Sequence, residues 1–178
     1  MSMLIAITGT PGVGKSTVSD ILAHKYRVVH IHEYAEQHNL FESYDEKMGS
    51  YDVDVEKLND SVMSDKFTEK YVFFDGHLSH FIDCDIIIVL RCKPKILFDR
   101  LKARGYDDDK VKENVQAEVL DVILGESMES GAKVYEIDCS DMTPIEIADR
   151  IERIVILGGT DDSSPGNVDW SGEMEEWF

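Results

Sequence analysis

The chain has little that would staple or anchor it. Only three of its 178 residues are cysteines, Cys84, Cys92 and Cys139. They are odd in number, widely spaced and form no Cys-x-x-Cys pair, which argues against a disulfide framework and against a zinc site. Such thiols suit a reducing cytosol, so a cytoplasmic location is expected. No apolar run approaches the ~18–20 residues of a bilayer span, so no membrane is expected to hold the chain. The opening Met-Ser-Met-Leu-Ile-Ala-Ile-Thr-Gly has no basic stretch before its short apolar run. It reads as a first strand and not as a leader. Basic residues are scarce as well: 18 Lys and Arg stand against 36 Asp and Glu, for a net charge of −18. That charge repels phosphate backbones and disfavours direct, non-specific nucleic-acid binding. It leaves two readings open, a soluble acidic protein of a salty cytoplasm or a protein with a basic protein partner. Hydrophobic residues are not scarce: at 43%, beside 30% charged, they exclude a wholly disordered chain and give one domain of ordinary size a core.

The spacing of apolar residues predicts the elements. Residues 3–8 form a short apolar run ending in a glycine-rich turn, and 17–26 carry Val18, Ile21 and Leu22 at helical spacing. A second strand is predicted over 28–32, a short helix over 33–39 and a longer one over 55–68. The latter places Val55, Leu58, Val62, Met63 and Phe67 on one face. Strands follow at 71–75 and 85–91, the second almost wholly apolar, as a strand covered on both faces must be. Pro94 opens a helix to Ala103. Asp107, Asp108 and Asp109 supply caps for one long helix over 110–130, and 133–138 is a fifth strand. Thr143-Pro144-Ile145-Glu146 is a capping box that opens a last helix through 156. Strands alternating with helices predict an α/β fold, a five-stranded parallel sheet flanked by helices. Residues 158–167 are Gly, Thr, Asp, Ser, Pro and Asn only, the composition of a linker. The chain thus divides into a domain over 1–157 and a flexible acidic tail over 158–178 with an aromatic end. The tail holds six acids and no base, which leaves the domain at −12.

Gly9-Thr10-Pro11-Gly12-Val13-Gly14-Lys15-Ser16 fits GxxxxGK[ST] at every fixed position, with a strand before it and a helix after it. Glycines at Gly12 and Gly14 let backbone N–H groups turn inward around a β-phosphate, and the following helix N-terminus favours an anion. Lys15 can reach the β- and γ-phosphates of ATP, while the hydroxyl of Ser16, followed by Thr17, can ligate Mg²⁺. Asp75 ends an apolar strand, and strand C-termini line the ligand crevice of such sheets. It is placed as a Walker-B-like carboxylate, to hold Mg²⁺ through water or to orient a nucleophile. The Asn-Lys-x-Asp motif by which GTPases read guanine is absent, and His30-Ile31-His32-Glu33 stands where shikimate-kinase-type enzymes carry Asp-x-Asp. Nucleoside monophosphate kinases place an acceptor arm and an arginine-bearing lid in the slots filled here by about 33–54 and about 103–113.

Four stretches narrow this reading: 8–17 around the phosphate loop, Tyr44-Asp45-Glu46, Asp75-Gly76-His77, and Asp99 to Tyr106 with Arg104-Gly105-Tyr106, followed by Asn114 and Glu118. With them the chain resembles the adenylate kinase isoenzyme 6 family, small adenylate kinases of archaea and of the eukaryotic nucleus linked to small-subunit ribosome assembly. Val168-Asp169-Trp170 is similar to the tail of archaeal members. The resemblance implies a nucleoside monophosphate kinase acting on ATP and AMP that also hydrolyses ATP. It implies, too, a role in late small-subunit maturation and rRNA processing through transient binding of a basic small-subunit ribosomal protein. It assigns His77, with Asp75, to hydrolysis, and a histidine can place or deprotonate a water. It assigns Arg104 to the transferring phosphoryl group, where a guanidinium fork stabilises spreading charge. Arg91 ends a strand on the crevice side, and Arg100 has a neighbouring acid to pair with.

The arm departs from the family pattern. Glu36 stands where adenylate kinases carry an arginine for the acceptor phosphate, and no arginine occurs between Arg27 and Arg91. Residues 32–69 hold eleven acids and three lysines, a potential that repels the phosphate of AMP. Lys47, Lys57 or Mg²⁺ could compensate. If none does, the alternative is an ATP-driven assembly factor that hydrolyses ATP to water. Trp170, Trp177 and Phe178 either fold back on the domain or bind a partner.

Overall fold

The computed structural model describes residues 1–46 and 49–178. In chain order the elements are β1 Met3–Thr8, α1 Lys15–Leu22, β2 Arg27–His30, α2 Ile31–Gln37, β3 Phe41–Asp45, β4 Ser50–Val53, α3 Val55–Ser64, β5 Tyr71–Asp75, β6 Ile86–Arg91, α4 Pro94–Ala103, α5 Asp108–Val119, α6 Val122–Glu129, β7 Lys133–Asp138, α7 Pro144–Leu157 and a final turn α8 Met174–Trp177. Five strands form a parallel sheet in the order β2-β5-β1-β6-β7, as the alternation of elements predicts. β6 is buried along its whole length, because helices cover both faces of the sheet. The central β1 pairs with β5 and β6, and the register sets Ile7 and His30 beside Asp75. The C-terminal ends of β2, β5 and β1 therefore deliver His30, Asp75 and the phosphate loop to one edge.

The predicted caps are present. Pro94 opens α4, Asp107 caps α5, and the Thr143–Glu146 capping box opens α7. Three elements differ from expectation. Residues 41–53 form an antiparallel hairpin, β3 on β4. Both strands are largely exposed, so neither carries the apolar alternation by which a half-buried strand is recognised. The single helix expected over 110–130 is two. It breaks at Asp121, which adopts a left-handed φ of 55°. Arg91 meets the chain at the break: its Nη2 donates to both the Glu118 carbonyl and the Asp121 carboxylate at the end of α5. Arg91 is 1% exposed and also pairs with Glu118 and Glu136. It lies under the sheet edge and does not face the crevice.

The third difference concerns 158–178. The linker-like stretch turns back over the domain: Gly159 N donates to the Tyr135 hydroxyl at 3.2 Å, and Ser163 and Trp170 are buried. A side chain at Gly159 would meet the Tyr135 ring. Composition reads this glycine as freedom, whereas here it serves close approach. The ring of Trp177 packs 5.4 Å from that of Phe98. Trp170 and Trp177 thus fold back on the domain, whereas Phe178 is exposed.

Candidate active site

The phosphate loop forms the floor of a cleft of about 530 Å³. Its glycines are there for close approach. Gly9 has φ +144° with Leu90 O only 2.5 Å from where a Cβ would sit, and Gly12 has φ +97° with Leu97 and Leu101 at 2.9 Å. Gly14 caps α1, and Ser16 and Thr17 lie exposed on its first turn beside the cleft. Lys15 is 9% exposed, and its Nζ donates to Gly9 O at 2.5 Å and Thr10 O at 3.1 Å. Burial lowers its pKa to about 8, against the opposing pull of Asp75 and Glu118. Among the described residues Arg100 forms no ion pair with a neighbouring acid. Its Nη1 donates to Gly12 O and Val13 O, at 3.4 and 3.2 Å, and so fastens the loop to α4, while Asp99 pairs with Lys95.

Asp75, His30, His32 and His77 stand on the wall. Asp75 is 5% exposed. Its Oδ2 accepts from His30 Nδ1 at 2.9 Å, and its Oδ1 is buried with no partner among the described residues. A carboxylate oxygen without a donor, across the cleft from an exposed serine hydroxyl, is the hard-oxygen donor set that a magnesium-sized cation and its waters accept. His77 lines the same cleft. Its side chain is open to the cleft but crowded by the walls. Burial first, and then the charge of Lys15, lower its pKa to about 4, so near neutral pH the ring is uncharged. His80 is different: it is buried, bonded to Thr8 Oγ1 at 2.9 Å and Glu126 at 3.0 Å, and is structural.

Arg104 sits at the C-terminal end of α4 and lines the rim. The corner that follows is short, because α5 begins at Asp108. Opposite, the arm presents aromatic side chains: the rings of Phe41 and Tyr51 stack at 4.5 Å, with His32 at 5.2 Å from Phe41. Among the described lining residues the cations are Lys15 and Arg104, and the acids are Asp20, Glu33 and Asp75. Glu36 is exposed on α2 and does not line the cleft, so Glu33 is the acid that faces the acceptor side. Lys57 is held outside by Glu42 and Asp54. Lys47 lies outside the described residues. Lys15, Ser16, Thr17, Asp75, His77 and Arg104, with Gly12 and Gly14, therefore surround one cleft. Sequence reasoning did not find His30 as the partner of Asp75, Arg100 as a fastener of the loop, or the aromatic pair of the arm. The pairing of His30 needs the strand register, and only the run His30-Ile31-His32 hinted at it.

The AAA domain family matches residues 5–121. A protein of Thermococcus kodakarensis named "Putative adenylate kinase" is 43% identical over 98% of this chain and 96% of its own. One of the same name from Methanocaldococcus jannaschii is 44% identical over 99% and 96%. Among solved structures, shikimate kinase from Acinetobacter baumannii, in complex with shikimate, superposes with a TM-score of 0.61 over 90% of this chain and 97% of its own. At 14% identity that likeness speaks to the fold, a phosphate-loop kinase sheet. Matched along nearly its whole length by the archaeal relatives, the chain belongs to their family of adenylate kinase-like proteins with an AAA domain.

Proposed function

We propose that the protein is a nucleoside monophosphate kinase that transfers the γ-phosphoryl group of ATP to AMP, giving two ADP, and that it also hydrolyses ATP. The observation that carries this reading is the cleft. It sets the phosphate loop, Asp75, His77 and Arg104 around one space and an aromatic arm across it. The names of the archaeal relatives support it. In this reading the amides of the loop, with Gly12 and Gly14, cradle the β-phosphate, and Lys15 leaves its own loop carbonyls for the β- and γ-oxygens. Ser16 and Asp75 would hold Mg²⁺, which when bound neutralises charge between those phosphates. Arg104 closes on the transferring group. In hydrolysis His77, uncharged beside Lys15, orients the attacking water. Phe41 and Tyr51 offer faces on which the acceptor's base can stack.

A specific observation favours a second reading, an ATP-driven assembly factor whose main acceptor is water. The acceptor side carries Glu33 and lacks an arginine. Incubation with Mg-ATP, with and without AMP, followed by measurement of ADP against free phosphate, separates the two. The kinase reading expects AMP to divert turnover from phosphate to ADP. It further expects Glu33→Gln to lower the KM for AMP about three- to tenfold, because a carboxylate facing the acceptor phosphate is removed. Free phosphate unaffected by AMP in both proteins would leave the assembly factor.

The resemblance to the isoenzyme 6 family adds a cytoplasmic role in late small-subunit maturation through a basic ribosomal protein. The charge of −18 supports the sign of that partner, since an acidic surface attracts Lys- and Arg-rich chains and repels RNA. A pull-down from lysate is expected to recover a basic small-subunit protein at low salt and to lose it at high salt, where exposed pairs are screened. Recovery of RNA alone, or of no ribosomal protein, would leave a purely metabolic kinase.

A further inference from the structure

We infer that Trp170, near the C-terminal end of the chain, positions the phosphate loop through the buried carboxylate of Glu118. The inference rests on the nucleotide-binding reading of that loop. Beneath the loop lies an ionic network with too many acids. Glu118 is 3% exposed and Glu136 0%. Both are bonded to Arg91, at 2.8 and 3.0 Å, and Arg91 also meets Asp121. One guanidinium thus faces three carboxylates. Buried carboxylate oxygens left without donors are costly, so neutral N–H and O–H groups must supply the remainder.

Those neutral groups come from two places. One is the nucleotide site and its flanking strand. Thr10 Oγ1, in the phosphate loop, donates to Glu118 Oε2 at 2.6 Å, and Cys92 N donates to Glu118 Oε1 at 3.1 Å. The other is the C-terminal segment. Trp170 Nε1 donates to Glu118 Oε1 at 3.2 Å, and Val168 N donates to Glu136 Oε1 at 2.8 Å. Glu118 is therefore shared: Oε2 holds the loop, and Oε1 is held by Arg91 Nε at 2.8 Å, Cys92 N at 3.1 Å and the indole at 3.2 Å. Losing the indole donor leaves Oε1 to Arg91 and Cys92 alone. The carboxylate then shifts toward those two donors, and Thr10 moves with it. Glu118 also lies close enough to Lys15 to act on its charge, so a displaced carboxylate changes the field at the phosphate-binding amine as well. Trp170 is a positioning residue, since it acts through Glu118 and touches no part of the cleft.

The test is a double-mutant cycle on the full chain, read by equilibrium binding of Mg-ATP and by thermal melting. Trp170→Phe keeps the ring and removes only the N–H. Thr10→Val keeps the shape and cuts the link from Glu118 to the loop. Trp170→Phe is expected to raise the Kd for ATP about fivefold in the unmodified background and less than about 1.5-fold in Thr10→Val. Trp177→Phe serves as the control. Its Nε1 is buried with no partner among the described residues and donates to neither Glu118 nor Glu136, so the Kd should not change. A Trp170→Phe protein that melts earlier but binds ATP as before would overturn the inference, as would an equal effect in both backgrounds. The segment would then only stabilise the fold. If the unmodified protein binds no ATP, the nucleotide reading falls first, an outcome that the cycle distinguishes from the others.

Discussion

Lys15→Met is expected to abolish phosphoryl transfer and at the same time to make the protein melt at a higher temperature. Lys15 is 9% exposed, and burial lowers its pKa to about 8. Its ordinary value is about 10.4, so at neutral pH the fold carries the cost of keeping an ammonium in a poorly solvated place. The sign follows from linkage. Between about pH 8 and 10.4 the unfolded chain holds a proton that the folded one has released, so stability rises with pH through that window. Methionine keeps most of the stem and has no charge to bury. Its gain is set against the loss of the donors to Gly9 O and Thr10 O, which leaves about 1–3 kcal/mol in favour of the variant. For a chain of this size that is a melting temperature higher by roughly 3–8 °C, measured without nucleotide or metal. Turnover should fall at least about a thousandfold, because no other lining residue sits on the phosphate loop with a full positive charge. A folded, stabilised and inactive variant separates a chemical role from a structural one. A variant with near-normal turnover would remove the loop from the active site.

The second large effect is expected at Asp75 and His77. Asp75→Asn keeps an oxygen for His30 Nδ1, which now holds Oδ2 at 2.9 Å, but removes the charge at the unpartnered Oδ1. His77→Ala removes an imidazole from the wall of the cleft. Each should lower turnover about a hundredfold or more while changing the metal-free affinity for ATP by less than about threefold, since the loop amides and Lys15 still bind the phosphates. Titration of ATP binding beside steady-state turnover measures both. An equal fall in affinity and in turnover would make the two residues supports of the fold.

What could be read in the sequence was whatever depends on local chemistry. β6 is a run of Ile, Val and Leu that only a doubly covered strand would need, and it lies where the run lies, Ile86–Arg91. The phosphate loop has its own spacing, and the caps at Asp107 and Thr143 are local hydrogen bonds. What could not be read depends on partners far along the chain. Asp121 is left-handed where Arg91, 30 residues earlier, donates both to the Glu118 carbonyl and to the Asp121 carboxylate. Residues 158–167 look like a linker because the acids that receive the following segment, Glu118 and Glu136, look like ordinary surface residues until the sheet buries them. The hairpin of the arm is exposed on both faces, so no apolar pattern announces it. Glu36 takes the expected arginine's place in the sequence, yet α2 starts directly after β2 and turns that position away from the cleft.

The position of β1 also bears on how the molecule assembles. It lies in the middle of the sheet, yet its neighbours come much later: Met3 pairs with Tyr71 and Ile5 with Ile86. A growing chain therefore carries its phosphate loop for dozens of residues before either flanking strand exists, and the entropy of closing those loops falls before the pairing that offsets it. During that interval an apolar strand with two open edges is exposed to solvent. Nucleotide cannot nucleate folding from this end, because the loop has no fixed shape until β5 and β6 lock the strand that presents it. The site is then among the late-forming parts of the molecule. Refolding followed by hydrogen exchange should show β1 protected in the same phase as β6, and not before it.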